Sequence, residues 1–393
     1  PRSQGQVGQE SLSDVAGPTS LGAGPKGEAT RSLPAQGPPA ELIDFLAPPQ
    51  AADELGRLGG YRVLHVLGSG ATGVVFVAED LQLQRRVALK VIRPAPDAGD
   101  LVRQRFLREA RAAAVIDHEN IVTIYQVGED RGVPFLAMKL LQGETLDERL
   151  KREGQLLVHE VVRIGREIAE GLAAAHEQGL IHRDIKPANL FLEAGNGRVK
   201  IVDFGLARAA SHDLQLTKTG TVVGTPAYMS PEQARGIRVD HRSDLFSMGC
   251  VLYRMCTGRT PFQAEDTLGM LTALAQDQPA PIKAFNPTVP AELVGLIARL
   301  LAKVPEARPQ NAQSVAATLG AIEERVAASR SSEYLKPRRG ITGDRPWWVT
   351  LLQILVPAAL AALIYWYGPS AFRMIYDQAQ DAIETLPSPF SRH

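Results

Sequence analysis

The chain has 393 residues, 45% of them hydrophobic and 22% charged, which excludes a wholly disordered protein and leaves room for roughly two to three domains. Its 43 Lys+Arg balance 43 Asp+Glu, so the overall charge carries no signature of nucleic-acid binding. Only Cys250 and Cys256 are present, both in an apolar stretch that reads as helix, and no His or Cys cluster has metal-ligand spacing; buried free thiols are expected, not a structural zinc.

In chain order, the sequence starts at Pro1 with no basic-then-apolar leader, as expected of a fragment whose N-terminus lies elsewhere. Residues 1–60 are rich in Gly, Pro, Ser, Ala and Gln. Their one apolar island, LIDFLAPP, is too small to offset ordering entropy, and the segment is expected to be disordered. From Tyr61 the pattern changes to YRVLHVLGSG, VVFVAED and RVALKVI, three β-rich runs of an antiparallel meander. Helical periodicity covers about 101–115, then IVTIYQV and VPFLAMKLL read as strands. Helices dominate afterwards in VVRIGREIAEGLAAAHEQ, SDLFSMGCVLYRMCTG and ELVGLIARLLAK. A β-rich lobe followed by an α-rich lobe is the expectation, ending near Arg325.

Residues 326–346 turn polar and basic and read as a linker; residues 347–367, WWVTLLQILVPAALAALIYWY, carry no charge. About twenty residues at 1.5 Å each cross a hydrocarbon core of roughly 30 Å, and the aromatics at both ends suit membrane interfaces. A single transmembrane helix is expected, kinked by Pro357. Lys336, Arg338, Arg339 and Arg345 precede it and Arg373 alone follows closely, which puts the N-terminal bulk in the cytoplasm and leaves 368–393 as a short outer tail.

The segment GSGATG, with Gly68, Ser69, Gly70 and Gly73, has the spacing G-x-G-x-x-G, shared by dinucleotide folds and nucleotide-gripping hairpins. Here a strand-like run follows at once instead of a helix, so a hairpin is expected, its amides open to phosphate oxygens or simply a glycine-rich turn. The same feature argues against an NAD-binding oxidoreductase, which also wants an acidic ribose ligand in a βαβ context. Lys90 lies in the apolar run VALK, where an unpaired ammonium is costly, and Glu109 in the helical LREARAAA stands at a suitable distance in sequence to reach it. Further on, LIHRDIKPANLF gathers a His, two cations, a carboxylate and an amide on a few residues, and VDFG follows some twenty positions later.

Together these residues resemble a eukaryotic-type (Hanks-type) protein kinase over about 61–325, with wording closest to bacterial transmembrane serine/threonine kinases. The resemblance implies an α+β bilobal fold followed by the single transmembrane helix. It implies GSGATGVV as the glycine-rich loop, Lys90 as the strand-three lysine and Glu109 as its helix partner. Asp184 would orient the substrate hydroxyl and take its proton, Lys186 would neutralise charge near the transferring phosphoryl group, and Asn189 and Asp203 would hold Mg²⁺ or Mn²⁺. ATP would lie between Val74, Ala88 and Leu192, behind Met138 as gatekeeper, its adenine read by the backbone of Leu141. His182 is expected to be structural, Glu232 to pair with Arg308, and Asp244 to brace the catalytic loop.

Lys186 and Thr225 match the serine/threonine type, so protein Ser/Thr hydroxyls are the implied acceptors, with no nucleic-acid partner. Arg183 beside Asp184 implies activation by phosphate on Thr217 or Thr219, with Thr221 a further candidate, and a homodimer would allow one copy to phosphorylate another. One departure stands out: the first hinge residue is Lys139, where the family usually has Glu. The alternative function is a pseudokinase, a membrane-tethered scaffold without turnover.

Overall fold

The computed structural model describes residues 42–70, 73–92, 100–204 and 226–335, with 351, 354–359, 361, 362, 365, 366 and 368 beyond them. Thr217, Thr219, Thr221 and Thr225 lie outside the described residues, as do residues 1–41 and nearly all of the tail.

The β-rich runs pair as their alternation demands. Strands β1 (Gly56–Leu58), β2 (Tyr61–Gly70), β3 (Gly73–Asp80), β4 (Arg85–Val91), β5 (Ile124–Asp130) and β6 (Val133–Lys139) form one antiparallel sheet in the order β1-β2-β3-β4-β6-β5. Residues 87–91 of β4 are buried on both faces, which is why VALKV reads as a continuous apolar run without a polar side. At the far end of β2 the tip Leu67 to Gly70 is exposed and open to a ligand. Gly73 has φ +135, and a Cβ there would come within 2.0 Å of the Val91 carbonyl oxygen, so only glycine lets the hairpin return against β4.

Two apolar layers cover this sheet. On the inner face, helix α1 (Asp100–Ala114) buries Phe106 and Ala110, one turn apart, against Ala88, Leu136 and Met138. The outer face, with Val63, Phe76, Val87 and Leu89, is covered by Leu42, Ile43, Phe45, Leu46 and Leu55. Phe45 meets Phe76 edge-on at 6.2 Å, Ala47 and Arg57 exchange backbone hydrogen bonds of 2.8 and 3.0 Å, and the buried Glu54 carboxylate pairs with Arg62 at 2.9 Å. Residues 42–60 are therefore part of the folded lobe, which corrects the expectation of a disordered segment reaching residue 60. The apolar island fails to order itself alone but completes a sheet face that would otherwise meet water.

A second sheet of β7 (Gly143–Thr145), β8 (Leu190–Glu193) and β9 (Val199–Ile201) lies at the start of the helical lobe. The helices are α2 (Leu146–Glu153), α3 (Val158–Glu177), α4 (Pro231–Ala234), α5 (Arg242–Thr257), α6 (Thr267–Gln276), α7 (Ile282–Phe285), α8 (Ala291–Leu300) and α9 (Ala312–Leu335). Helix α5 is buried nearly all round and forms the lobe's centre, packed by α3, α7 and α8. Cys250 and Cys256 lie on it as buried free thiols, and burial pushes the Cys256 thiol up to about 12. Helix α9 carries on past Arg325, with Val326 still against the core, so residues 326–335 extend the helix and are not linker as expected.

Among the described residues no helix is long and apolar enough to cross a membrane, and the stretch 347–367 is described only in part. Its described members are helical, and Leu351, Ile354, Leu355, Val356, Tyr365 and Trp366 are exposed.

Candidate active site

Lys90 projects from the inner face of β4, opposite Val75 on one side and Leu136 on the other, and is only 2% exposed. Its Nζ lies 2.8 Å from Oδ1 of Asp203. Strand β9 ends at Ile201, and Asp203 stands two residues beyond it with φ +62, a left-handed backbone that turns its carboxylate toward the lysine. Burial alone would push the Asp203 carboxyl up, but the charge and hydrogen bond of Lys90, with His182 and Lys186, hold it below the ordinary aspartate value. The side chain keeps 30% of its surface accessible.

The expectation that Lys90 pairs with Glu109 is corrected: Lys90 pairs with Asp203, while the Glu109 carboxylate lies 3.9 Å from a guanidinium nitrogen of Arg183. In this arrangement Asp203 supplies the charge that the buried ammonium requires.

The catalytic-loop residues converge on Asp184. Lys186 Nζ donates to its Oδ2 at 2.7 Å, and Asn189 Nδ2 donates to the same oxygen at 2.9 Å and to the Asp184 carbonyl at 2.8 Å. With its amide nitrogen on Asp184, Asn189 keeps an amide oxygen that, together with the Asp203 carboxylate, would suit a hard cation. His182 is fully buried, lies against Phe204 with ring centroids 4.8 Å apart, meets the Val202 carbonyl through Nε2 at 3.0 Å and accepts the Asp184 N–H at Nδ1. It is a structural post, as expected.

Asp244, in the first turn of α5, accepts the backbone N–H groups of His182 at 2.8 Å and Arg183 at 2.7 Å, and its Oδ2 meets His176 at 2.7 Å. Arg183 needs that support because its φ is +64. Sequence reasoning missed Gln233, whose side-chain amide donates to the Arg183 carbonyl at 2.9 Å. Glu232 and Arg308 form the expected buried pair at 2.6 and 2.8 Å; Ser243 also donates to Glu232, and Arg308 bonds the carbonyls of Ala302, Arg242 and Lys303. Burial would raise the Glu232 carboxyl, but these hydrogen bonds hold it low.

Of the expected adenine walls, Ala88 and Met138 pair across β4 and β6 on the inner face, and Leu141 packs with them. Two positions are corrected. Val74 turns to the outer face with Phe76, and strand alternation brings Val75 to the inner face beside Lys90. Leu192 packs into the core of the helical lobe, and Phe191 takes the other face of β8, shared with Glu193. Val202, also missed, joins Val75, Ala88 and Met138. Matching Lys90 to its cross-strand partner on β3 would have found Val75. Gly68, Ser69, Gly70 and Gly73 shape the hairpin tip as expected, with residues 71 and 72 outside the described residues.

Comparison with known proteins agrees with this geometry. A protein kinase domain model matches residues 61–318. A probable serine/threonine-protein kinase of Clostridium acetobutylicum is 39% identical over 255 residues, covering 65% of this chain and 38% of its own length. Serine/threonine-protein kinase PrkC of Bacillus subtilis is 37% identical over 262 residues (66% of this chain, 40% of PrkC), and PknB of Mycobacterium tuberculosis 38% over 269 (66% and 42%). The chain thus spans well under half the length of these relatives. A crystal structure of the Mycobacterium tuberculosis PknI kinase domain superposes with a TM-score of 0.56 at 30% identity, covering 69% of this chain and 98% of that one. With the family model matching most of the chain and the lysine, catalytic loop and Asp203 gathered in one cleft, the chain belongs to the protein kinase family.

Proposed function

We propose that the chain is an active serine/threonine kinase that transfers the γ-phosphoryl group of ATP to Ser and Thr hydroxyls of proteins. The observation that carries this reading is the Asp184 carboxylate, held by Lys186 and Asn189 and open to the cleft near the Lys90–Asp203 pair. An oxygen of Asp184 within reach of an alcohol orients it and accepts its proton, while Lys186 offsets the charge that spreads over the phosphoryl oxygens. Lys90, now paired with Asp203, would meet a phosphate of the nucleotide. Asp203 and Asn189 would hold Mg²⁺ or Mn²⁺, which when bound neutralises charge on the nucleotide's phosphates. Lys90, Asp203, Asp184, Lys186 and Asn189 lie together, which supports turnover over the scaffold alternative, while Glu109 stands with Arg183.

Activation-loop autophosphorylation belongs to the same proposal. Arg183 lies beside Glu109, and a phosphate on Thr219 or Thr217 would compete for its guanidinium and let Glu109 approach Lys90. A second copy of the chain would carry out the transfer. Incubated with ATP and Mg²⁺ and mapped by mass spectrometry, the parent chain is expected to carry phosphate on Thr217 or Thr219 and an Asp184→Asn chain none. Phosphate confined to the N-terminal 41 residues would count against this regulation.

Membrane anchoring is supported by the charge-free stretch 347–367 and by the exposed apolar side chains of its described members. The basic residues before it favour a cytoplasmic kinase domain at the inner membrane. The chain is expected to stay with membranes through an alkaline wash, with its kinase portion shielded from protease added outside intact cells. Digestion of that portion would overturn the orientation.

A further inference from the structure

Lys139, the residue that departs from the family pattern, closes β6 and places Nζ 2.9 Å from Oε1 of Glu193, the last residue of β8. Between β6 and β7 only Leu140, Leu141 and Gln142 remain, and they are the linker joining the two lobes. Its backbone is tied at both ends: Lys139 N donates to the Thr123 carbonyl at 2.9 Å, and Ala194 N donates to the Gln142 carbonyl at 2.8 Å. Just beyond, Gly143 has φ +138, and a Cβ there would come 2.0 Å from the Leu192 carbonyl oxygen, so β7 presses directly on β8. The Lys139–Glu193 pair therefore runs beside the linker and bridges one lobe's sheet to the other's.

Glu193 has a second cation to serve. Lys200 lies opposite Phe191 across β8 and β9, on the face that Glu193 shares, and is largely buried. Burial pushes the Lys200 ammonium down, and the Glu193 charge opposes that. Removing Glu193 leaves two ammonium groups without this carboxylate, whereas removing Lys139 leaves Glu193 with Lys200.

We infer that Lys139 is a positioning residue for nucleotide binding, its ion pair with Glu193 stapling the two ends of the linker and holding the Leu141 backbone in place. The inference rests on the reading of that linker as the edge that takes adenine. Its test uses the full chain with Lys139→Met, Lys139→Arg, Glu193→Gln and the Lys139→Met/Glu193→Gln double variant. ATP Kd is measured by calorimetry, and KM and kcat by phosphate transfer.

Lys139→Met is expected to raise Kd and KM for ATP about two- to fivefold with little change in kcat, the range that a half-exposed ion pair sustains. Lys139→Arg keeps the pair and the parent's values. Glu193→Gln weakens ATP binding at least as much as Lys139→Met, and the double variant is no weaker than Glu193→Gln alone. An unchanged Kd in Lys139→Met, or losses that simply add in the double variant, overturns the staple while leaving the adenine reading intact. A parent chain that binds no ATP overturns both.

Discussion

Asp184→Asn is expected to lower kcat for phosphate transfer by about 10²–10⁴-fold, the contribution typical of a positioned proton acceptor, while ATP binding survives. The substitution is nearly isosteric, so the loop keeps its shape through Asp244, which holds the backbone N–H groups of His182 and Arg183 independently of the Asp184 side chain. What disappears is the charge that Lys186 and Asn189 meet at 2.7 and 2.9 Å. Radiolabelled ATP with a Ser/Thr-rich protein acceptor reads the loss, and calorimetry reads the retained nucleotide affinity. Equal, background label from parent and variant would instead favour the scaffold reading.

A chain that starts at Tyr61 is expected to melt roughly 5–15 °C below one that starts at residue 42. The family model begins at 61, yet Leu42, Ile43, Phe45, Leu46 and Leu55 cover the outer face of the sheet. Half-exposing Val63, Phe76 and Leu89 forfeits about half of the 1.5–3 kcal/mol that each gains on full burial, on the order of 2–4 kcal/mol together. The shorter chain also loses β1 and the Glu54–Arg62 ion pair. Phe45→Ala in the full chain should shift melting in the same direction by less. Scanning calorimetry decides it, and identical melting of the two truncated chains would show that residues 42–60 contribute nothing to stability.

The chemistry at the centre of the cleft was legible because it is written locally. Residues 182–189 hold the catalytic loop within a few positions, so the family resemblance could be carried by one short string; that resemblance implied the roles of His182, Asp184, Lys186 and Asn189, and the structure brings the four residues into contact. The two-lobe order was equally visible in the switch from alternating to helical periodicity. Glu232 and Arg308, though 76 positions apart, were found only because the family resemblance named them.

Tertiary structure decided the rest. Strands β3 and β4 are covered on both faces, so their apolar runs lose the polar alternation that would tell inside from outside, and the choice between Val74 and Val75 is fixed only by which layer each meets. Lys90 took Asp203 and not Glu109 because a carboxylate from the other lobe reaches it across the cleft. The apolar island at 42–46 folds because the sheet offers it a face, and Lys139 gains Glu193 because a three-residue linker brings two lobes edge to edge. Sequence set the chemical groups and the local turns that carry them; long-range packing chose their partners, since burial and charge pairing depend on surfaces that exist only once both lobes have formed.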